Sequence, residues 1–257
     1  ATMLAVAVPS ASGELLNELR EAAAALDLDL RVLPPTRDLL GSVRHTDLRS
    51  LDLADLLGRG EVALDADAIS GTISGKTVLV TGAGGSIGSE LSRQVAALGP
   101  ESLVLYERHE NSLYMIAKEL DDQGLGSFVH PVLGDVTDVS RLTSTVTKYR
   151  PSIFFHAAAH KHVPLVELNP AEALKNNCMG TRITAEVAHR LAVERFVLIS
   201  TDKAVNPSSV MGATKRVAEL IIQDMARTGK TNFITVRFGN VLGSNGSVVP
   251  HFLQQIK

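Results

Sequence analysis
The sequence predicts an α/β protein: a doubly wound parallel sheet from Lys76 onward, preceded by part of another α/β unit. Three features predict it. Short β-rich runs, apolar on both faces, alternate with stretches of helical period; a glycine-rich turn joins the first of these runs to a helix; and residues 1–75 carry a strand, helix, strand pattern of their own. Such alternation implies right-handed crossovers between parallel strands, and strands sandwiched between helix layers carry no polar face.

In chain order, "MLAVAVPS" reads as a strand, "SGELLNELREAAAAL" as an amphipathic helix N-capped by Ser12, and "LDLRVLP" as a strand closed by Pro34 and Pro35. These three elements cannot bury both faces of a sheet alone, so residues 1–75 are the expected tail of a preceding α/β domain, or an extension packed on the main one. The leucine-rich, acidic stretch "RHTDLRSLDLADLLGRGEVALDADAIS" is the expected connector, docking on the domain that follows. From Lys76 the expected parallel strands are "TVLVTG", "SLVLYE", "FVHPVLGD", "SIFFHAAA", "RFVLIST" and "NFITVRFG". Helical period lies between them at Ile87 to Leu98, Asn111 to Asp121, Ala171 to Val193 and Met211 to Thr228. After the sixth strand, "VLGSNGSVVPHFLQQIK" begins a further helix. A sheet that binds a ligand needs more chain to cover its far side, so a substrate-capping part is expected to be missing here.

Composition narrows the function. The 257 residues are 45% hydrophobic and 21% charged, ordinary for a soluble globular chain, and a net charge of -3 without long runs gives no reason to bind nucleic acid or a membrane surface. The lone cysteine, Cys178, forms no internal disulfide and fits a reducing, cytoplasmic compartment. No apolar run approaches the roughly 18 residues of a membrane span, and the N-terminus has no signal-peptide pattern.

"VLVTGAGGSIGSEL" carries the first chemistry. A G-x-G-x-x-G pattern fails because position 87 is Ile, but Gly82, Gly85 and Gly88 keep a G-x-x-G-x-x-G spacing. With Ser86 and Ile87 they present backbone N–H groups at a helix N-terminus, where a charge of about +0.5 favours a pyrophosphate. A turn without a ligand is the bland alternative; the strand before, the helix after and an acidic residue ending the next strand weigh against it. That residue, Glu107, stands where a carboxylate bonds adenosine ribose hydroxyls and repels a 2′-phosphate, which makes NAD the expected cofactor. NADP is the alternative if Arg108 receives such a phosphate. Asp135 in "LGDVTD", beside Val136, is a candidate for the adenine amino group, with a turn or N-cap role as its alternative. These features make the expected fold Rossmann-type.

With "GKTVLVTGAGGSIGSEL", "HAAAHKHVPLVE", "STDKAVNPSSVMGATKR" and "VRFGNVLGSNGSVVP" in view, residues 76–257 resemble the extended short-chain dehydrogenase/reductase superfamily. They look most like its UDP-N-acetylglucosamine 4,6-dehydratase branch. In the superfamily a helix carries Tyr and Lys four residues apart; here the pair is Met211 and Lys215, and the branch is characterised by that Met. Longer members carry a preceding α/β domain and membrane helices. The resemblance implies a homo-oligomer and a UDP-sugar substrate.

It also implies a reaction: oxidation at sugar C4, loss of the C5 proton and of the C6 hydroxyl as water, and return of the hydride at C6. "STDK" offers Thr201 as hydroxyl anchor, Asp202 as acid and Lys203 as base. That assignment requires a depressed Lys203 and a raised Asp202, although a carboxyl beside an amine can exchange a proton with it. Lys215 is expected to bond the nicotinamide ribose, and Met211 to pack against sugar or nicotinamide unless it is ordinary core. Ala157, Ala158 and Ala159 allow close approach to the nicotinamide half, Lys161 reaches substrate, and Asn240 bonds the diphosphate or uracil unless it only closes a turn. His156, His160 and His162 have no Cys or carboxylate in ligand register, so no metal is expected. The rival readings are a nucleotide-sugar 4-epimerase and a catalytically silent NAD-binding regulatory domain.

Overall fold
The computed structural model describes residues 2–8, 11–33, 49–50, 66–227 and 230–241. The chain divides into two compact units, 1–64 and 65–257. In the first, β1 (Met3–Val6) pairs parallel with β2 (Asp29–Val32), and α1 (Gly13–Ala25) crosses between them. Ser12 caps α1 by accepting from the Leu15 amide. Val6, Leu16, Ala23, Leu30 and Val32 form a small core. Of the stretch expected to be a connector, Arg49–Ser50 forms a short strand, β3, antiparallel to β2, because the edge of β2 offers unpaired backbone groups there. Residues 51–65 lie outside the described residues.

The second unit is built on one parallel sheet. Helix α2 (Ala66–Ile73) leads to β4 (Thr77–Thr81), α3 (Ser86–Ala97), β5 (Ser102–Glu107), α4 (Glu110–Asp122) and β6 (Val129–Leu133). After α5 (Val139–Tyr149) come β7 (Ile153–His156), the short helices α6 (Val163–Leu168) and α7 (Pro170–Ala173), and a π-helical turn at Leu174–Met179. Helix α8 (Gly180–Arg190), β8 (Arg195–Thr201), α9 (Val210–Met225) and β9 (Asn232–Phe238) complete it. The strands stand in the order β6-β5-β4-β7-β8-β9, the doubly wound arrangement.

Alternate residues of each central strand enter opposite cores. Val78, Val80, Leu103 and Leu105 meet Val95, Leu113, Ile116 and Leu120 of α3 and α4. Leu79, Val104, Phe154, Phe196 and Leu198 meet Leu142, Val146, Ala185, Ala188, Ala218 and Ile222 of α5, α8 and α9. Phe154 and Phe196 stack with centroids 5.1 Å apart. Each such buried Val, Leu, Ile or Phe side chain stabilises the fold by about 1.5–3 kcal/mol, so both faces of β4, β5, β7 and β8 had to be apolar in sequence.

One expected helix differs. The helical period from Ala171 to Val193 is interrupted by the π-helical turn and ends at Arg190, with Ala192 left-handed (φ 55°). The buried Asn177 amide causes the break: its oxygen accepts from the His160 amide (2.8 Å), and its NH₂ donates to the His160 carbonyl (3.0 Å) and Thr214 Oγ1 (3.0 Å). Such single π-turns inside helices are frequent at functional sites, and His160, the partner of Asn177, lines the clefts described below. The helix expected to reach Thr228 ends at Met225, with Ala226 as its C-cap; Thr228 itself and the helix expected after Val241 lie outside the described residues. Among the described residues no helix is long and apolar enough to cross a membrane.

Candidate active site
Strands β4 and β7 are neighbours whose connections leave in opposite directions along the sheet, which opens a crevice at their carboxyl ends. The loops that follow them nearly touch. Gly82 is left-handed (φ +66°), and a Cβ there would sit 2.7 Å from the backbone N and Cα of Ala158. A Cβ on Gly88 would overlap the Gly82 carbonyl oxygen. Gly85 N-caps α3 without any side-chain bond, at a helix N-terminus whose partial positive charge favours an anion.

Two confluent clefts lie here, of about 260 Å³ and 580 Å³, sharing Gly85, Ala157, Ala159 and His160. The smaller is lined also by Gly82, Glu107, Arg108, Val136 and Ala158. Glu107 accepts from the Gly84 amide (3.1 Å) and the His109 amide (2.9 Å), so the carboxylate braces the glycine turn and keeps further lone pairs for hydroxyl donors. Arg108 reaches Nε2 of His160 (3.2 Å) and lies 3.6 Å from Asp135. Asp135 is not among the lining residues. Its Oδ1 accepts from the amide and hydroxyl of Thr137 (both 2.8 Å), the turn role that the sequence left open. Burial would raise the Asp135 carboxyl, but those bonds and Arg108 outweigh it and hold it below its ordinary range.

The larger cleft is lined by Ser86, Ile87, Gly88, Lys161, Thr201, Lys203, Met211, Lys215 and Asn240. Sequence-distant segments thus converge on it from β7, β8, α9 and the end of β9. Ser209 caps α9 by accepting from Gly212 (3.1 Å), and Glu167 of α6 accepts from the Val210 amide (2.7 Å), which fixes where Met211 sits. A Cβ on Gly212 would overlap the Lys203 carbonyl oxygen, so α9 rides directly on the turn after β8. Met211 is buried at the cleft wall against Val166 and Ala173, and therefore serves as both core and lining.

Asp202 differs from expectation. It does not line the cleft, and hydrogen bonds from Thr201 (2.9 Å) and then Lys203 (3.1 Å) hold its carboxyl below the ordinary range rather than above it. Lys203 also donates to Asn240 Oδ1 (2.7 Å). Both Asp202 and Lys203 side chains remain solvent-exposed, so the shielding that would raise the acid is not supplied by the described residues.

Beneath them lie buried ionisable groups. Lys215 is 6% exposed and donates to the Ile199 carbonyl (2.7 Å); burial pushes it down to about 8. His156 is pushed down to about 3, by burial first and the charge of Lys215 second. Thr181 Oγ1 donates to the Asn177 carbonyl (2.6 Å), so it accepts from His156 Nε2 (3.1 Å), and His156 Nδ1 accepts from the Thr81 hydroxyl (2.8 Å); the tautomer is assigned from this network. Burial and Arg108 push His160 down as well. Sequence reasoning missed Thr81, Asn177, Thr181, Glu219 and Arg237. Only the paired "NN" inside a helical stretch hinted at them, since Asn disfavours helix interiors.

A doubly wound sheet with a glycine cradle at its switch point and a buried lysine in the adjoining cleft defines a Rossmann-type nucleotide-binding protein of the extended short-chain dehydrogenase/reductase class. Within that class, residues 78–257 match the polysaccharide biosynthesis protein family, and the chain belongs to it. It is 47% identical over 254 residues to the probable polysaccharide biosynthesis protein EpsC of Bacillus subtilis, covering 98% of this chain and 42% of that protein. It is 34% identical over 187 residues to the UDP-N-acetylglucosamine 4,6-dehydratase (inverting) of Campylobacter jejuni, covering 71% and 54%. A UDP-glucose 4-epimerase of Rickettsia rickettsii is 32% identical over 189 residues, covering 71% and 54%. Among solved structures, Pen from Bacillus thuringiensis matches with a TM-score of 0.68 at 33% identity, covering 72% of this chain and 58% of that one. The chain thus spans about half the length of the curated relatives it matches.

Proposed function
We propose that residues 76–257 form the nucleotide-binding part of a UDP-N-acetylglucosamine 4,6-dehydratase that uses NAD, with NADP as the alternative cofactor. The residues present fit a dinucleotide: Gly82 and Gly88 let the loop after β4, the loop after β7 and the start of α3 meet at backbone contact, Gly85 lines both clefts with no side chain, and Glu107 lines the ribose end. Bound NAD would supply an electron-pair acceptor for the oxidation at sugar C4 and return the pair at C6.

The chain's own residues do the rest. Gly82, Gly85 and Gly88 admit the pyrophosphate, and Lys215 uses one donor on Ile199, which leaves two of its three donors for the ribose. Thr201 anchors the C4 hydroxyl. Asp202 takes the C4 hydroxyl proton as the hydride leaves and passes it to the departing C6 hydroxyl, while Lys203, whose Nζ lies 3.1 Å from Asp202 Oδ1, takes the C5 proton and returns one to C5 as the hydride adds at C6. Met211 shields the sugar from water, and Lys161 and Asn240 hold the diphosphate. The observation that carries this reading is the cluster of Thr201, Lys203, Met211, Lys215 and Asn240 on one cleft.

The relatives named as epimerases support a second reading, nucleotide-sugar 4-epimerisation. Incubating the protein with UDP-N-acetylglucosamine separates the two. A product lighter by one water supports dehydration, a sugar of unchanged mass with inverted C4 supports epimerisation, and an unchanged sugar rejects both.

A further inference from the structure
We propose that Glu219 is a positioning residue of this site: it ties the helix that carries Lys215 to the strand that ends in Thr201 and places a negative charge one helical turn from the ammonium. The inference rests on Lys215 as the cofactor-facing cation of the proposed function. Glu219 follows Lys215 by one turn of α9, so both project from one face of that helix. Lys215 Nζ donates to the Ile199 carbonyl (2.7 Å) and Ser200 Oγ donates to Glu219 Oε1 (2.7 Å). The two side chains therefore grip consecutive residues of β8, immediately before Thr201. From the other side Arg237 of β9 donates twice to Glu219 (2.8 and 2.6 Å), and Arg216 donates once (3.0 Å). Arg237 leads directly to Gly239 and Asn240 at the cleft. One carboxylate thus ties together the three elements that carry Lys215, Thr201 to Lys203, and Asn240.

Glu219 has no exposed surface. A buried ion cluster is not needed for stability alone, since well-packed apolar residues serve as well or better. What the charge adds is field at Lys215. The ionisable groups facing Lys215 are Glu219 on its own helix, Cys178 on the π-helical turn and His156 on β7, and Glu219 is the one carboxylate among these described residues. Glu219 itself faces Arg216, Arg237, Ser200 and Lys215. Burial depresses Lys215, and attraction to Glu219 opposes that depression.

The test is an NMR titration of lysine Cε, carbon-13 labelled, in the whole 257-residue chain, with Lys215→Met assigning the resonance. Glu219→Gln, isosteric but neutral, is expected to move the Lys215 midpoint to lower pH by about half a unit or more. Arg237→Gln, which removes a positive charge competing for the carboxylate, is expected to move it to higher pH. Opposite shifts support the proposal; no shift, or shifts of one sign, overturn it. Should Glu219→Gln fail to fold, the sign in Arg237→Gln decides: a rise supports the proposal, and a fall or no change overturns it. The readout is protonation rather than turnover, so failure here leaves the dehydratase reading standing, and an inactive wild type leaves this result standing.

Discussion

Replacing Gly82 with alanine perturbs the crevice at its narrowest point. The residue is left-handed at φ +66°, a conformation that costs an L-residue about 1–2 kcal/mol. Its new Cβ would lie 2.7 Å from the N and Cα of Ala158, which are backbone atoms and cannot swing aside as a side-chain tip would. Forced overpacking of this kind adds about 1–3 kcal/mol, so the whole penalty is about 2–5 kcal/mol, a large part of a domain's stability. Gly85 is the control. Its backbone (φ -74°, ψ 168°) suits any residue, and the nearest atom to an added Cβ is the Gly82 carbonyl oxygen at 3.3 Å, so alanine there should cost under about 1 kcal/mol. Yet Gly85 lines both clefts, where a methyl stands in the path of a pyrophosphate. Urea denaturation and calorimetric titration with NAD are expected to find Gly82→Ala strongly destabilised, and Gly85→Ala as stable as wild type but at least about tenfold weaker in binding. If Gly85→Ala binds NAD as wild type does, the reasoning about the cradle is refuted.

Other outcomes follow from the buried groups. Lys215 titrates near 8 in the folded chain against its ordinary 10.5. Between those values the unfolded chain holds a proton the folded chain lacks, so stability rises with pH across that window. Lys215→Met should remove this rise, by at most about 1.4 kcal/mol per pH unit, in urea midpoints taken from pH 7 to 10. His156, held near 3 against 6.5, works through the same sign: the unfolded chain gains the proton first as pH falls from 6.5, so stability is lost on acidification. His156→Asn should flatten that acid limb, and an unchanged limb would mean the imidazole is not held neutral. Gly212→Ala drives a methyl against the Lys203 carbonyl oxygen and should reduce turnover while calorimetry still detects NAD binding, because the displaced turn carries Thr201 and Lys203 but not the glycine cradle.

The parallel strands were legible because each central one must be apolar on both faces, and the glycine turn because backbone approach forbids side chains at Gly82 and Gly88. The convergence of Thr201, Lys203, Met211, Lys215 and Asn240 was legible because ligands gather at strand C-termini in such sheets. The π-helical turn was not, since its cause is a contact between Asn177 and a loop at His160, 17 residues away. Nor was the Glu219–Arg237 pairing, which needs the sheet order to bring β9 beside β8. The ionisation of Asp202 was misjudged for a local reason: donors from the adjacent Thr201 and Lys203 stabilise the charged form of a solvent-exposed carboxyl. Asp135 shows the same limit, because a short Asx turn and an adenine contact begin from one sequence pattern.

In the proposed dehydration, proton transfer runs through the groups ending β8, and the methionine of α9 takes no part in it. The most direct measurement is deuterium at C5 of the sugar product, read by NMR after turnover of UDP-N-acetylglucosamine in heavy water by wild type, Met211→Ala and Lys203→Ala. The account predicts C5 deuterium from wild type and, at a reduced rate, from Met211→Ala, and none from Lys203→Ala. Deuterium uptake that persists in Lys203→Ala and vanishes in Met211→Ala would contradict it.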